Sequence, residues 1–140
     1  MGRLRFVVFY LVSGLAAALG QVVTNPNSTI PMVSASGAIS GVMGGYLILY
    51  PHVRVFTFIL LGFFFTSIAL PAWAMLGYWF LIQFVSGLAA FGGEVGGVAF
   101  WAHVGGFVAG VVLVKLFARP ESVAAHQAHH WRPRRVLRDF

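Results

Sequence analysis

Long apolar stretches separated by short polar breaks dominate the chain. Four of them read as membrane-length helices: about Leu4 to Val23, Ala35 to Tyr50, Pro71 to Ala90, and Val98 to Phe117. Each is roughly 16–20 residues long, close to what a helix needs to cross a hydrocarbon core. Their apolar positions follow no amphipathic period, so each helix is apolar on every side. The turn-rich run Thr24-Asn25-Pro26-Asn27-Ser28-Thr29 ends the first, Pro51 stops the second, and Pro71 suits the opening of the third.

The segment Val55 to Leu70 is equally apolar and has two readings, a fifth crossing or a hydrophobic interfacial or re-entrant connection. Charge placement decides between them. The nine basic residues are Arg3, Arg5, Arg54, Lys115, Arg119, Arg132, Arg134, Arg135 and Arg138. With four spans and an inside N-terminus, all of them fall on the inner side, as the bias of cytoplasmic loops requires. A fifth crossing would put the basic tail opposite Arg3, Arg5 and Arg54. The expected fold class is therefore an all-α membrane bundle of about four transmembrane helices, with an interfacial segment at about 55–70.

Composition agrees. Of 140 residues, 59% are hydrophobic and 9% charged, where a soluble domain carries about 25% charged residues. No small-residue cleavage site follows the first apolar stretch, which is expected to remain as a span. The absence of cysteine rules out disulfides, thiolate metal sites and a cysteine nucleophile.

Against this background two polar side chains stand out, Ser36 at the start of the second span and His103 early in the fourth. Polar groups at such positions are costly and are commonly functional. Serine and histidine are the two halves of a nucleophile–base pair. In the four-span topology both helices run inward from the outer face, so the two side chains lie at similar shallow depth. Small residues would let the helices meet. Ser36, Ser40 and Gly44 recur every fourth residue, as do Gly37, Gly41 and Gly45, while Ala99, His103, Gly106 and Gly110 share a face of the fourth span. Such stripes also pack helices that have no chemistry at all, so the stripes alone leave both readings open.

Two motifs carry a resemblance. Ser34-Ala35-Ser36-Gly37 is similar to the Gly-x-Ser-Gly motif, and Ala102-His103-Val104-Gly105-Gly106 to the Ala-His-x-x-Gly motif, of rhomboid intramembrane serine proteases. The intervening Leu70-Pro71-Ala72 and Gly77-Tyr78-Trp79-Phe80-Leu81-Ile82-Gln83 resemble the helix before the histidine helix in bacterial members. The resemblance covers Gly2 to Phe117. It implies that Ser36 is the nucleophile and His103 the general base of a dyad with no third acidic residue. It further implies that Ala35 and Gly37 belong to the serine and oxyanion motif, and that Ser40, Gly41, Gly44, Gly106 and Gly110 pack the helices. The activity implied is a hydrolase, a serine endopeptidase that cuts membrane-anchored proteins near the outer face without a cofactor. Ser34 stands where the family has its first glycine, which adds bulk at the turn presenting Ser36. The family also carries two earlier helices, the second with His-x-x-x-Asn. Here no histidine precedes Ser36, and Asn25 and Asn27 lie in the turn. The resemblance thus implies a partial rhomboid domain over 1–118 that opens at the family's third helix, and a chain of little activity by itself.

The other candidates carry less. His52 beside Arg54 suits a headgroup-facing helix end. His126, His129 and His130 sit in a proline-containing tail whose spacing does not make a metal site, and no metal is expected. Residues 119–140 read as a basic, disordered cytoplasmic tail, with Trp131 to Arg138 on an anionic leaflet rather than on nucleic acid. Asn27-Ser28-Thr29 matches a glycosylation triplet without consequence in a bacterial membrane, and Glu94 reads as a solvated loop acid. Expected partners are single-span membrane protein substrates and the lipid bilayer. The expected location is the bacterial inner membrane, with both termini cytoplasmic. A non-catalytic rhomboid-like protein that binds client transmembrane helices is the alternative. A small transporter would show an internal repeat or an intramembrane charge, and the chain has neither.

Overall fold

Prolines punctuate the fold. The computed structural model describes residues 1–27, 35–61, 64–90 and 99–128. Helix α1 (Arg3–Thr24) ends where Asn25, ahead of Pro26, leaves helical geometry at φ −141° and ψ 73°, because a residue before proline is pushed away from the α region. The Thr24 hydroxyl donates to the Gly20 carbonyl at 2.7 Å and covers one of the last carbonyls. Helix α2 (Ala35–Leu49) likewise stops ahead of Pro51. Helix α3 (Ala72–Ala89) follows Pro71, which holds the cap position with φ −66° and ψ 143°, one residue before the helix proper. Helix α4 spans Phe100–Phe117, and α5 spans Pro120–Ala128 with proline at its first position.

Among the described residues, α1, α3 and α4 are long and apolar enough to cross a membrane, while α2 is a shorter apolar helix of 15 residues. Their large apolar side chains point outward: Leu4, Leu11, Leu15 and Leu19 of α1, and Leu81, Val85 and Leu88 of α3, are exposed. Buried positions are few and mostly small, with Ala17, Ala38, Ala72 and Ala102 almost fully enclosed. This inversion suits helices whose association rests on close packing rather than on exclusion of water.

Glycine contacts fix the arrangement. On α2, a methyl at Gly37 would run into the Ala17 side chain, one at Gly41 into Ser13, and one at Gly45 would lie 3.1 Å from Phe9. The descending order 17, 13, 9 makes α1 and α2 antiparallel. Methyls at Gly106 and Gly110 of α4 would overlap the carbonyl oxygens of Gly37 and Gly41. That ascending order makes α2 and α4 parallel and in backbone contact. Gly20 and Gly105 bring α1 equally close to α4, a methyl at Gly20 lying 3.3 Å from the Gly105 Cα. Helix α3 packs outside this trio, antiparallel to α4. Its Gly87 faces Trp101, with a Cβ-to-ring distance of 3.2 Å, and Phe80 meets Phe107 at 4.7 Å between ring centroids. A small cluster of Ala72, Leu76 and Phe107, lined by Met43, Leu47 and Val111, joins α2, α3 and α4.

The expected interfacial segment is not helical. It forms two antiparallel strands, β1 (Arg54–Leu61) and β2 (Phe64–Pro71), in register from Arg54↔Pro71 to Leu61↔Phe64. The run is rich in Phe, Ile and Thr, which favour strands, and apolar runs without a period do not separate helix from strand. The pairing satisfies backbone groups that an open connection would leave exposed. It also returns the chain to the end it left, where Ala72 and Trp73 donate to the carbonyls of Val53 and Pro51 at 2.8 and 3.0 Å. The segment is thus no fifth helical span.

One end of the bundle is basic. Arg119 reaches within 3.8 Å of the Cβ position of Gly2, so Arg3 and Arg5 of α1 share an end with Lys115 and Arg119 of α4 and with Arg54 after α2. The tail read as disordered from residue 119 begins instead with the nine-residue helix α5. Proline at its first position and Glu121 in its first turn favour that start.

Candidate active site

At the opposite end, the first turns of α2 and α4 lie side by side. Gly37 is the hinge of this contact. A Cβ there would sit 3.4 Å from the Ala102 carbonyl oxygen, while the Gly37 carbonyl presses on Gly106. Ser36 directly precedes Gly37, and His103 directly follows Ala102. The two residues singled out by the sequence are therefore each next to a residue of the contact that the first turns of two parallel helices make.

Ser36 is on the exposed side of α2. Its carbonyl accepts a 2.8 Å hydrogen bond from the Ser40 hydroxyl, and Ser40 is buried, 1% exposed. Ala35, Ser36 and Gly37 form the first turn of α2, where backbone N–H groups have no acceptor within the helix. These N–H groups and the positive end of the helix dipole are suited to a developing negative charge. Ser34, the departure from the glycine motif, lies outside the described residues, as do Ser28, Thr29, Glu94, His129, His130 and Trp131 to Arg138.

His103 is half-buried on α4 and contacts α3. Its Nδ1–H donates to Gln83 Oε1 at 2.8 Å. The Trp79 ring packs beside the imidazole, with centroids 5.9 Å apart and planes inclined by 43°. Gln83 and Trp79 are four residues apart, so they occupy one face of α3. Both lie in the run Gly77 to Gln83 that resembles the family, but their spacing along the sequence assigns neither a role. A signal existed for Gln83, since it is the sole amide side chain in an 18-residue apolar helix and a polar group there calls for a partner.

The packing residues fall into place unevenly. Gly41, Gly106 and Gly110 make the α2–α4 contact with Gly37, and Gly44 meets the Phe107 carbonyl. Ser40 is buried but spends its hydroxyl within α2. Two further polar atoms, Ser13 Oγ and Gln21 Oε1 on α1, are buried without a hydrogen-bond partner. Gln21 neighbours Gly20, which touches Trp101, and so lies at the same end of the bundle as Ser36 and His103.

The family model of the rhomboid domain matches residues 1–120. No curated protein and no solved structure matches the chain. With the match running through the helices that carry Ser36 and His103 and the hairpin between them, the chain belongs to the rhomboid family.

Proposed function

We propose that this rhomboid protein is an intramembrane serine endopeptidase, with Ser36 as nucleophile and His103 as general base. The observation that carries the reading is the glycine-mediated contact of α2 and α4, parallel and in register, with one member of the pair at the first turn of each helix. In the first step Ser36 Oγ bonds to the scissile carbonyl carbon while His103 Nε2 takes the hydroxyl proton. The carbonyl oxygen becomes an oxyanion, stabilised by first-turn N–H groups of α2 around Ala35 and Gly37. His103 then returns the proton to the leaving amine as the C–N bond breaks, leaving an ester on Ser36. A water molecule, deprotonated by His103, cleaves that ester and restores the hydroxyl.

The substrates in this reading are single-span membrane proteins whose helix opens into the site, since a helical peptide bond is shielded from attack. The protein sits in a bacterial inner membrane, with the basic end of the bundle and both termini in the cytoplasm. The Ser36 end faces outward.

Fluorophosphonate labelling of membranes containing the chain tests the proposal, with Ser36→Ala and His103→Ala alongside. Weak labelling of the wild type that disappears in both variants is the expected result. A folded, inserted chain that takes no label, or that labels equally without Ser36, overturns the proposal for this chain and leaves the reading as a non-catalytic binder of client helices.

A further inference from the structure

We propose that Gln83 is the positioning residue for His103, a neutral amide doing what an acid does in a serine triad. The inference rests on the protease reading for its catalytic consequence, but not for its chemistry. A general base must offer a lone pair on the nitrogen that faces the nucleophile, and the hydrogen bond on the other nitrogen decides which one that is. With Gln83 Oε1 placed 2.8 Å from Nδ1, the ring proton resides on Nδ1 and Nε2 is left as the acceptor. The ring cannot rotate freely, because Trp79 packs on it from the same helix. The mount is α3 rather than α2 or α4. Gln83 is half-buried, and its neighbours Leu81, Ile82, Phe84 and Val85 are exposed, so the amide is turned inward from an otherwise apolar stretch.

An amide differs from a carboxylate in a way that suits this depth. It fixes the tautomer without placing a second charge in an apolar bundle, where a charged group is expensive. It gives up the stabilisation of the imidazolium that a carboxylate would supply. In this role Gln83 acts through His103.

The test uses the full chain in detergent with ¹⁵N-labelled histidine, the His103 signals being identified by their loss in His103→Ala. Nδ1 protonated and Nε2 bare is the expected pattern. Gln83→Met, of similar length but without the amide, shifts the tautomer ratio about fivefold to tenfold, the weight of one ordinary hydrogen bond. Gln83→Glu restores an acceptor and keeps the wild-type pattern. Fluorophosphonate labelling of Ser36 slows about 10-fold to 100-fold in Gln83→Met, part of the general-base contribution, and recovers in Gln83→Glu. A wild-type ring protonated on Nε2, or a tautomer ratio unmoved by Gln83→Met, overturns the proposal whatever the activity. A shifted tautomer with an unchanged labelling rate overturns its catalytic half. A wild type that takes no label refutes the protease reading instead, and the ¹⁵N pattern still decides whether Gln83 sets the tautomer.

Discussion

Alanine at Gly106 perturbs the α2–α4 contact at the end that carries Ser36 and His103. The added methyl would overlap the Gly37 carbonyl oxygen, a backbone atom with no side-chain rotamer through which to yield. The helices must part by on the order of 1 Å before methyl and oxygen reach ordinary contact. Overpacking of this kind costs about 1–3 kcal/mol, against which the better helix propensity of alanine returns about 1 kcal/mol. The immobile partner favours the upper part of that range, so the expected loss is about 2 kcal/mol. Gly77→Ala is the internal control: a methyl there meets nothing within 4 Å, and the propensity gain of up to about 1 kcal/mol stands alone.

Thermal unfolding of the two variants in one mild detergent then separates them by sign. Gly106→Ala unfolds below the wild type and Gly77→Ala at or above it. Labelling of Ser36 adds a second readout, because a shift of about 1 Å between reacting groups costs on the order of 100-fold in rate. Gly110→Ala makes the same clash with the Gly41 carbonyl about one turn further from His103. It loses similar stability with a smaller loss of labelling. Gly106→Ala as stable as Gly77→Ala would refute backbone contact between α2 and α4, and with it the argument that brings Ser36 beside His103.

The other predictions concern α1 and the orientation of the bundle. Ser13 is fully buried with no partner for its hydroxyl, so Ser13→Ala is expected to stabilise the protein by about 1 kcal/mol in the same unfolding assay; a loss of 1 kcal/mol or more would show that the hydroxyl is bonded. The native chain has no cysteine, so single cysteines report orientation without background. Asn25→Cys, beyond the end of α1, should react with an impermeant maleimide in intact cells. Arg119→Cys, at the basic end beside Gly2, should react only after lysis, and equal reactivity of both would refute the shared inner location of the basic residues.

Much of the bundle was legible because lipid imposes a one-dimensional rule. A span must be apolar over its whole length, and prolines and charges mark where it stops. That rule found α1, α2, α3 and α4 to within a few residues, and the arginines gave their alternation. At residues 54–71 the charges excluded a fifth crossing, but Phe, Ile and Thr make an apolar run with no period that does not separate helix from strand. Only tertiary pairing, from Arg54↔Pro71 onward, makes that run a hairpin. The glycine spacing of α2 pointed to close packing but not to its partners. Gly37, Gly41 and Gly45 turn out to be shared between α1 and α4, which a stripe on one helix does not encode.

The same limit explains why the sequence pointed to His103 and not to its mount. A motif is read along one helix, so it brings forward Ser36 and His103 from their own helices and nothing from a neighbouring one. The group that orients the base arrives from another helix, at a position set by crossing geometry. Antiparallel packing of α3 on α4 aligns Gly87 with Trp101, Phe80 with Phe107, and between them Gln83 with His103. Any shift of α3 by one residue would rotate Gln83 by about 100° and turn the amide from His103. The Phe80–Phe107 and Gly87–Trp101 contacts are therefore part of the site in a physical sense: they hold the register that holds the tautomer. Substitutions there, remote from Ser36, should alter the His103 ¹⁵N pattern before they unfold the bundle.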